Sequence, residues 1–246
     1  MLNPDRLPSP PPIDPERTAL FLDLDGTLAP FASHPDGVGP DPRRTAILRA
    51  LRQTLADRLA VISGRTLDEI DRILEGSVGA AAGVHGLDRR RANGARATTP
   101  PHPAIGEATA AFVRFAQRHP GALVETKALS VALHYRNAPG AMAEAVKEAE
   151  GLALSTGLAL QRGDKVAELR TPGHDKGAAL ALFMQEPPFM GALPVFVGDD
   201  YTDESAFEAA AKLGGYGVLV GKIRVTAARF SISGVTDVLG WLSAAT

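Results

Sequence analysis

Three apolar runs, each ending in turn chemistry, predict an α/β fold with a Rossmann-like, doubly wound parallel-sheet core and an inserted smaller α+β cap domain. The runs are Ala19-Leu20-Phe21-Leu22, Leu59 to Ser63 (LAVIS) and Leu193 to Gly198 (LPVFVG). Unbroken runs of this kind read as strands buried on both faces of a parallel sheet. Helix-type patterns separate them, as β/α alternation requires. Residues 98–170 break that alternation, which marks them as the insertion.

Six of the first fifteen residues are proline, so residues 1–17 are expected to form a flexible or polyproline head. After the first strand, Asp41 can cap a helix over 41–57, with Pro42 at its first position and Ile47, Leu48, Leu51 and Leu55 at helical spacing. Thr66 and Glu69 make a capping-box pattern for a helix through Leu74. Val78 to Val84 reads as a small-residue strand, and Asn93-Gly94 as a tight hairpin turn. The insertion runs helix (104–118), strands (122–126 and 129–136), helix (140–154), strands (157–162 and 165–170). Beyond Pro172 come a helix at 176–185, the LPVFVG strand, a helix at 203–212, the strand YGVLV and a terminal helix at 234–244. The expected division is therefore head 1–17, core 18–97 with 171–246, and cap 98–170, and a cleft between core and cap is the natural substrate site.

The 246 residues, 45% hydrophobic and 22% charged, are ordinary for a globular chain with a sizeable core. A net charge of −2 leaves no footprint for nucleic acid or an anionic membrane. With no cysteine, disulfides, thiolate metal sites and cysteine nucleophiles are excluded. No apolar stretch spans a bilayer and the amino terminus lacks a signal-peptide centre, so a cytoplasmic address is the default expectation; a monomer is expected as well.

Asp23-Leu24-Asp25-Gly26-Thr27 follows the first strand directly. Ligands of open α/β sheets collect at strand carboxyl ends, and paired acids there must bind a cation or do acid–base and nucleophilic work. Gly198-Asp199-Asp200, with Asp203 and Glu204 just beyond, repeats this at the end of LPVFVG. Two such ends side by side give an oxygen-rich site suited to Mg²⁺, with Asp200 or Asp203 also able to cap a helix. Ser63-Gly64-Arg65 ends the LAVIS strand with a hydroxyl able to hold a phosphoryl oxygen. Lys176 stands at a helix start, against the dipole, which suits a shared anion as well as it suits a surface lysine. Among the other candidates, His85 beside Gly86 is a candidate cleft residue and His134 reads as a packed, hydrogen-bonded strand residue. Arg89-Arg90-Arg91 reads as a solvated turn, and His34, His102 and His119 show no ligand spacing.

The order DxDGT, hydroxyl after a strand, lysine, GDDxxD resembles the haloacid dehalogenase-like phosphatases over residues 19–210. The resemblance implies that Asp23 is the nucleophile and Asp25 the general acid and base. It implies further that Asp23, the Asp25 carbonyl and Asp199 hold Mg²⁺, that Ser63 and Lys176 grip the phosphoryl oxygens, and that Asp200 and Asp203 act from behind them. VISGR (61–65), VHG (84–86), VETKALSVALHYRNAP (124–139), GDKVAELR (163–170) and GDDYTDE (198–204) resemble the trehalose-6-phosphate phosphatase family within that group. Glu125, Lys127 and Glu168 then match the positions that bind the distal glucose, with Gly64, Arg65 and His85 also expected at the substrate. The sequence departs from the family at Gly163-Asp164, where a Gly-Lys pair is common, and strand alternation turns the adjacent Lys165 to the other face. The implied substrate is trehalose 6-phosphate. A phosphatase for another sugar phosphate, such as sucrose phosphate or a glycerate-linked sugar, and an idle sugar-phosphate sensor are the alternatives.

Overall fold

The structure is a computed structural model that describes residues 7–31, 37–163 and 165–246; His34 and Asp164 lie outside the described residues. The chain divides into two compact units, one built from the segments up to Thr98 and from His174 onward, the other from Thr99–Gly173.

The first unit holds an eight-stranded sheet in the order β12-β11-β10-β1-β2-β3-β4-β5. Its strands are β1 (Thr18–Leu22), β2 (Leu59–Ile62), β3 (Ala80–Gly83), β4 (Asp88–Arg90), β5 (Arg96–Thr98), β10 (Leu193–Gly198), β11 (Tyr216–Val220) and β12 (Phe230–Ile232). All pair in parallel except the β3-β4-β5 edge. The chain leaves β1 toward β2 and β3, then returns to the other side of β1 as β10, so the strand order reverses between β1 and β10. Ligands bind at such a switch point.

Alternation along β1 sends Leu20 and Leu22 to one face and Ala19 and Phe21 to the other. Leu20 and Leu22 join the cluster with α1 (Pro42–Thr54), α2 (Leu67–Leu74) and α7 (Val235–Ser243). Ala19 and Phe21 join the cluster with α5 (Lys176–Met184) and α6 (Glu204–Lys212). Phe21 stacks on Phe189 with centroids 5.3 Å apart, and Phe183 packs on the same ring. Two helix layers on one parallel sheet make the core doubly wound. The Asp41 side chain caps α1 through the Arg43 and Arg44 amides. The Thr66–Glu69 capping box forms in full at α2.

Three local differences from expectation have physical causes. The proline-rich segment is tied down from Leu7 onward: the Ser231 amide donates to the Pro8 carbonyl at 2.9 Å, Trp241 Nε1 to the Pro11 carbonyl at 3.0 Å, and Ile13 is buried. Proline lacks a donor but keeps its acceptor. Arg89, Arg90 and Arg91 are no solvated turn. Strand β4 directs Arg89 onto Glu186 at 2.9 Å and Arg90 onto Asp71 at 2.8 Å, while Arg91 reaches Glu186 from the strand end at 3.2 Å. β12, unforeseen between YGVLV and the last helix, is three residues long, too short for periodicity to register.

The second unit is a four-stranded antiparallel sheet, β6 (Leu123–Thr126), β7 (Ser130–His134), β8 (Ala159–Gly163) and β9 (Val166–Arg170), in the order β6-β7-β9-β8. α3 (Ile105–Arg118) and α4 (Met142–Thr156) complete it, and the helix–two-strand order occurs twice as expected. Val131, Leu133, Ala167 and Leu169 pack with Phe112, Phe115, Ala145 and Ala149 of the helices. The opposite face carries Glu125, Ser130, His134, Gln161, Glu168 and Arg170. β8 begins two residues later than expected because Gly157, in the left-handed conformation at φ 77°, ends α4.

Candidate active site

At the carboxyl end of β1 the Asp23 amide still donates to the Val197 carbonyl at 2.9 Å, so Asp23 is held in the sheet ladder beside β10. The chain then folds back sharply: Leu28 and Ala29 donate to the Leu24 carbonyl, and Gly26 donates to Ala29. Gly26 has φ +82°, and a Cβ there would come within 2.3 Å of Asp199 Oδ2. Any side chain there would be strained by the backbone and would force Asp199 to shift.

Lys176, the first residue of α5, is only 3% exposed. Its Nζ donates to Asp203 Oδ1 at 2.6 Å and pairs with Asp23 Oδ1 at 2.9 Å. α5 approaches α6 closely enough for this because residue 177 is glycine; a Cβ would meet the Ser205 carbonyl at 2.3 Å. Two carboxylates thus offset a cation at the positive end of a helix. Burial alone would lower the Lys176 pKa, but Asp203 and Asp23 outweigh it and raise the value.

Donor oxygens of Asp23, Asp199 and Asp203 lie within 4.8 Å of one another. Asp203 is committed elsewhere, Oδ1 to Lys176 and Oδ2 to the Asp200 amide at 2.9 Å. Asp23 and Asp199 are not balanced by the lysine alone. Burial, then Asp203, pushes Asp199 up to about 7. Burial also raises Asp23, against the pull of Lys176. This is a set of hard oxygen donors with an excess of negative charge, and a divalent cation such as Mg²⁺ fits it. Thr27 Oγ1 donates to Asp199 Oδ1 at 3.4 Å and steadies it.

Asp25 is bonded outside this cluster. Arg65 Nε and Nη2 grip its two carboxylate oxygens at 2.7 and 2.8 Å, a bidentate pair of the geometry guanidinium favours. Glu69 braces the same arginine at 3.4 Å. The Ser63 hydroxyl, 1% exposed as a residue, accepts from the Arg65 amide at 3.3 Å. His85 lies in a left-handed turn (φ 56°) whose amide donates to the Ser63 carbonyl at 2.9 Å, and its ring lies against Gly64. Asp23, Asp199, Asp203 and Lys176 therefore form one cluster, and Asp25, Ser63, Gly64, Arg65 and His85 are linked beside it through the β1 and β2 ends. The Asp200 side chain joins neither: it is exposed and accepts from the Tyr201 amide at 2.6 Å, capping that turn, while its backbone amide holds Asp203.

In the second unit Glu125 bonds His134 through Oε2 at 2.9 Å and Lys127 through Oε1 at 3.3 Å. The His134 contact, ahead of the lysine charge, lowers the Glu125 pKa. Ser130 Oγ donates to Glu168 Oε1 at 2.6 Å. His134 is thus a hydrogen-bonded strand residue, as the sequence indicates, but half-exposed on the polar face and not packed in the core. Ser130 and Arg224 were missed altogether. Arg224 donates to the Asp200 carbonyl at 2.7 Å and pairs with Glu204, bracing the acidic loop. Alternation along VALHYR was the available signal for Ser130 and His134. Nothing in the sequence singles out Arg224.

Comparison with known proteins bears on this arrangement. The profile of the family described as Trehalose-phosphatase matches residues 21–234. The trehalose-6-phosphate phosphatase of Escherichia coli (strain K12) is 39% identical over 226 residues, covering 91% of this chain and 85% of that protein. The crystal structure of a trehalose-6-phosphate phosphatase related protein superposes with a TM-score of 0.73 at 26% identity, covering 91% of this chain and 94% of the other. The C-terminal domain of trehalose-6-phosphate phosphatase from C. albicans shares the fold at TM-score 0.82 and 20% identity, with 97% and 98% covered. A haloacid dehalogenase-like hydrolase from Bacteroides thetaiotaomicron has the same fold at TM-score 0.66. No helix among the described residues is long and apolar enough to cross a membrane. With the profile match over residues 21–234 and the 39% identity in agreement with the fold and the strand-end carboxylates, this chain belongs to the trehalose-phosphatase family.

Proposed function

We propose that the protein hydrolyses trehalose 6-phosphate to trehalose and phosphate, with Mg²⁺ as cofactor and a covalent aspartyl phosphate. The observation that carries the chemistry is Lys176 bridging Asp23 and Asp203 beside Asp199 at the switch point of the sheet. A carboxylate oxygen of Asp23 forms the bond to phosphorus while the bond from phosphorus to the sugar oxygen breaks. Asp25, protonated and turned from Arg65, delivers its proton to that oxygen. Water then attacks the phosphoryl group, Asp25 takes its proton, and the Asp23–phosphorus bond breaks to release phosphate.

Asp23, the Asp25 carbonyl and Asp199 would hold the cation, which when bound neutralises charge on the phosphoryl oxygens. Lys176, fixed by Asp203, and the Ser63 hydroxyl offer donors to those oxygens. Gly64, Arg65 and His85 border the same strand end, and Asp200 supports the loop as a turn cap. Such fixed donors stabilise developing charge without reorganisation.

The polar face of the second unit reads the sugar through Glu125, Lys127 and Glu168. Charged groups bond sugar hydroxyls strongly and reject analogues that leave them unpaired. Phosphate release from a panel of sugar phosphates, with and without Mg²⁺, tests the reading. Trehalose 6-phosphate is expected to give the highest kcat/KM; a higher value for sucrose phosphate or another sugar phosphate would replace the substrate named here.

A substitution series separates sugar recognition from phosphoryl chemistry. Glu125→Ala or Glu168→Ala removes charge-assisted bonds worth about 1.5–3 kcal/mol each, roughly ten- to a hundredfold in kcat/KM. p-Nitrophenyl phosphate carries no sugar, so the ratio of kcat/KM for trehalose 6-phosphate to that for the small ester is expected to fall by that factor. Equal losses on both substrates would make these glutamates supports of the fold.

A further inference from the structure

Glu125, Ala132, Glu168 and Gln161 stand directly opposite one another across β6, β7, β9 and β8, forming one row on the polar face. Adjacent strands lie about 4.8 Å apart, so the two glutamate backbones are separated by about 10 Å with only a methyl group between them. Each carboxylate is tethered by a different β7 residue, one on either side of Ala132. Glu125 Oε2 bonds His134 Nε2 at 2.9 Å, and Glu168 Oε1 accepts from Ser130 Oγ at 2.6 Å. Since His134 and the Lys127 charge favour the ionised form of Glu125, that carboxylate is acceptor-only. The proton of this bond therefore sits on His134 Nε2.

We propose that His134 and Ser130 are positioning residues that preset the two glutamates on either side of Ala132, so that the row presents a ready-made frame for the hydroxyls of one hexose ring. The inference rests on the assignment of Glu125 and Glu168 to the sugar. A glutamate free to rotate loses side-chain freedom on binding, and a tether removes that cost beforehand. His134 spends its Nε2 proton on Glu125, and Ser130 its hydroxyl proton on Glu168. Each therefore acts through its glutamate and not as a donor to the sugar from these atoms.

Double-mutant cycles test this on the full chain. His134→Ala is expected to raise KM for trehalose 6-phosphate about tenfold with a smaller change in kcat. His134→Gln, which keeps an N–H donor, is expected to recover most of that loss. His134→Ala combined with Glu125→Ala is expected to be no worse than Glu125→Ala alone, because the histidine has nothing left to position. Ser130→Ala with Glu168→Ala forms the second cycle and stands on its own if the histidine variants fold poorly. Trehalose binding to each variant, followed by calorimetry, gives a readout independent of turnover and is expected to weaken in parallel.

Additive losses in both cycles, or no rescue by His134→Gln, would overturn the positioning role while leaving the glutamates at the sugar. If Glu125→Ala and Glu168→Ala themselves spare trehalose binding, the sugar assignment fails first, and the positioning role falls with it.

Discussion

Asp23→Asn is expected to lower kcat on trehalose 6-phosphate by about ten-thousandfold or more, a loss typical of removing a covalent nucleophile. The amide keeps the shape of the carboxylate but cannot form the aspartyl phosphate. The fold has no reason to fail. Lys176 keeps Asp203 at 2.6 Å, and the Asp23 amide keeps its bond to Val197. Burial already disfavours charge on Asp23, so a neutral side chain there relieves a cost in the metal-free protein. The variant should melt at or above the wild-type temperature in EDTA. Residual turnover within tenfold of wild type, in a protein that melts normally, would remove the covalent mechanism.

The parts of the site that were readable in the sequence are those built from contiguous residues. Asp23 and Asp25 follow a run of apolar residues, and Asp199 ends another; such runs admit one assignment because nothing polar interrupts them. The helix starts at Asp41 and Thr66 were equally plain, since a cap is a local device whose partners lie within three residues. Lys176 was ambiguous for the opposite reason. Its meaning depends on Asp203, 27 positions away, and on Gly177 letting two helices touch.

Pairings across the fold could not be read in advance. The Arg65–Asp25 clamp joins residues 40 apart on neighbouring strand ends, and the order β10-β1-β2 that creates it follows from packing, not from local pattern. In the second unit, alternation put Glu125 and Lys127 on one face, but the tether of Glu168 by Ser130 required the register between β7 and β9. The anchoring of the proline-rich segment was hidden for a further reason: composition argued for looseness, whereas its free carbonyls found donors on Ser231 and Trp241. Composition describes what a segment prefers alone, and tertiary partners override it.

Removal of the cation carries the other large expected effect, and it reaches stability as well as rate. Treatment with EDTA is expected to abolish turnover and Mg²⁺ to restore it, since Asp23 and Asp199 offer only hard oxygen donors. Mg²⁺ should also raise the melting temperature of the wild type, because a ligand bound only by the folded state stabilises it by mass action. Asp199 sets the pH dependence. Its pKa is about 7 when folded, as burial and Asp203 dictate, against about 3.9 when unfolded. A carboxylate with a raised folded value penalises the native state above its unfolded pKa. The penalty is absent below about pH 4, grows through the interval and is complete above about pH 7, where it amounts to about 4 kcal/mol at most. Asp199→Asn removes it while keeping an acceptor for Thr27. In EDTA at pH 8 that variant should therefore melt several degrees above wild type, with the gap closing as the pH falls toward 4. Mg²⁺ should no longer shift its melting, and turnover should be lost. A variant that melts below wild type in EDTA at pH 8, or that still responds to Mg²⁺ as wild type does, would take Asp199 out of the cation site.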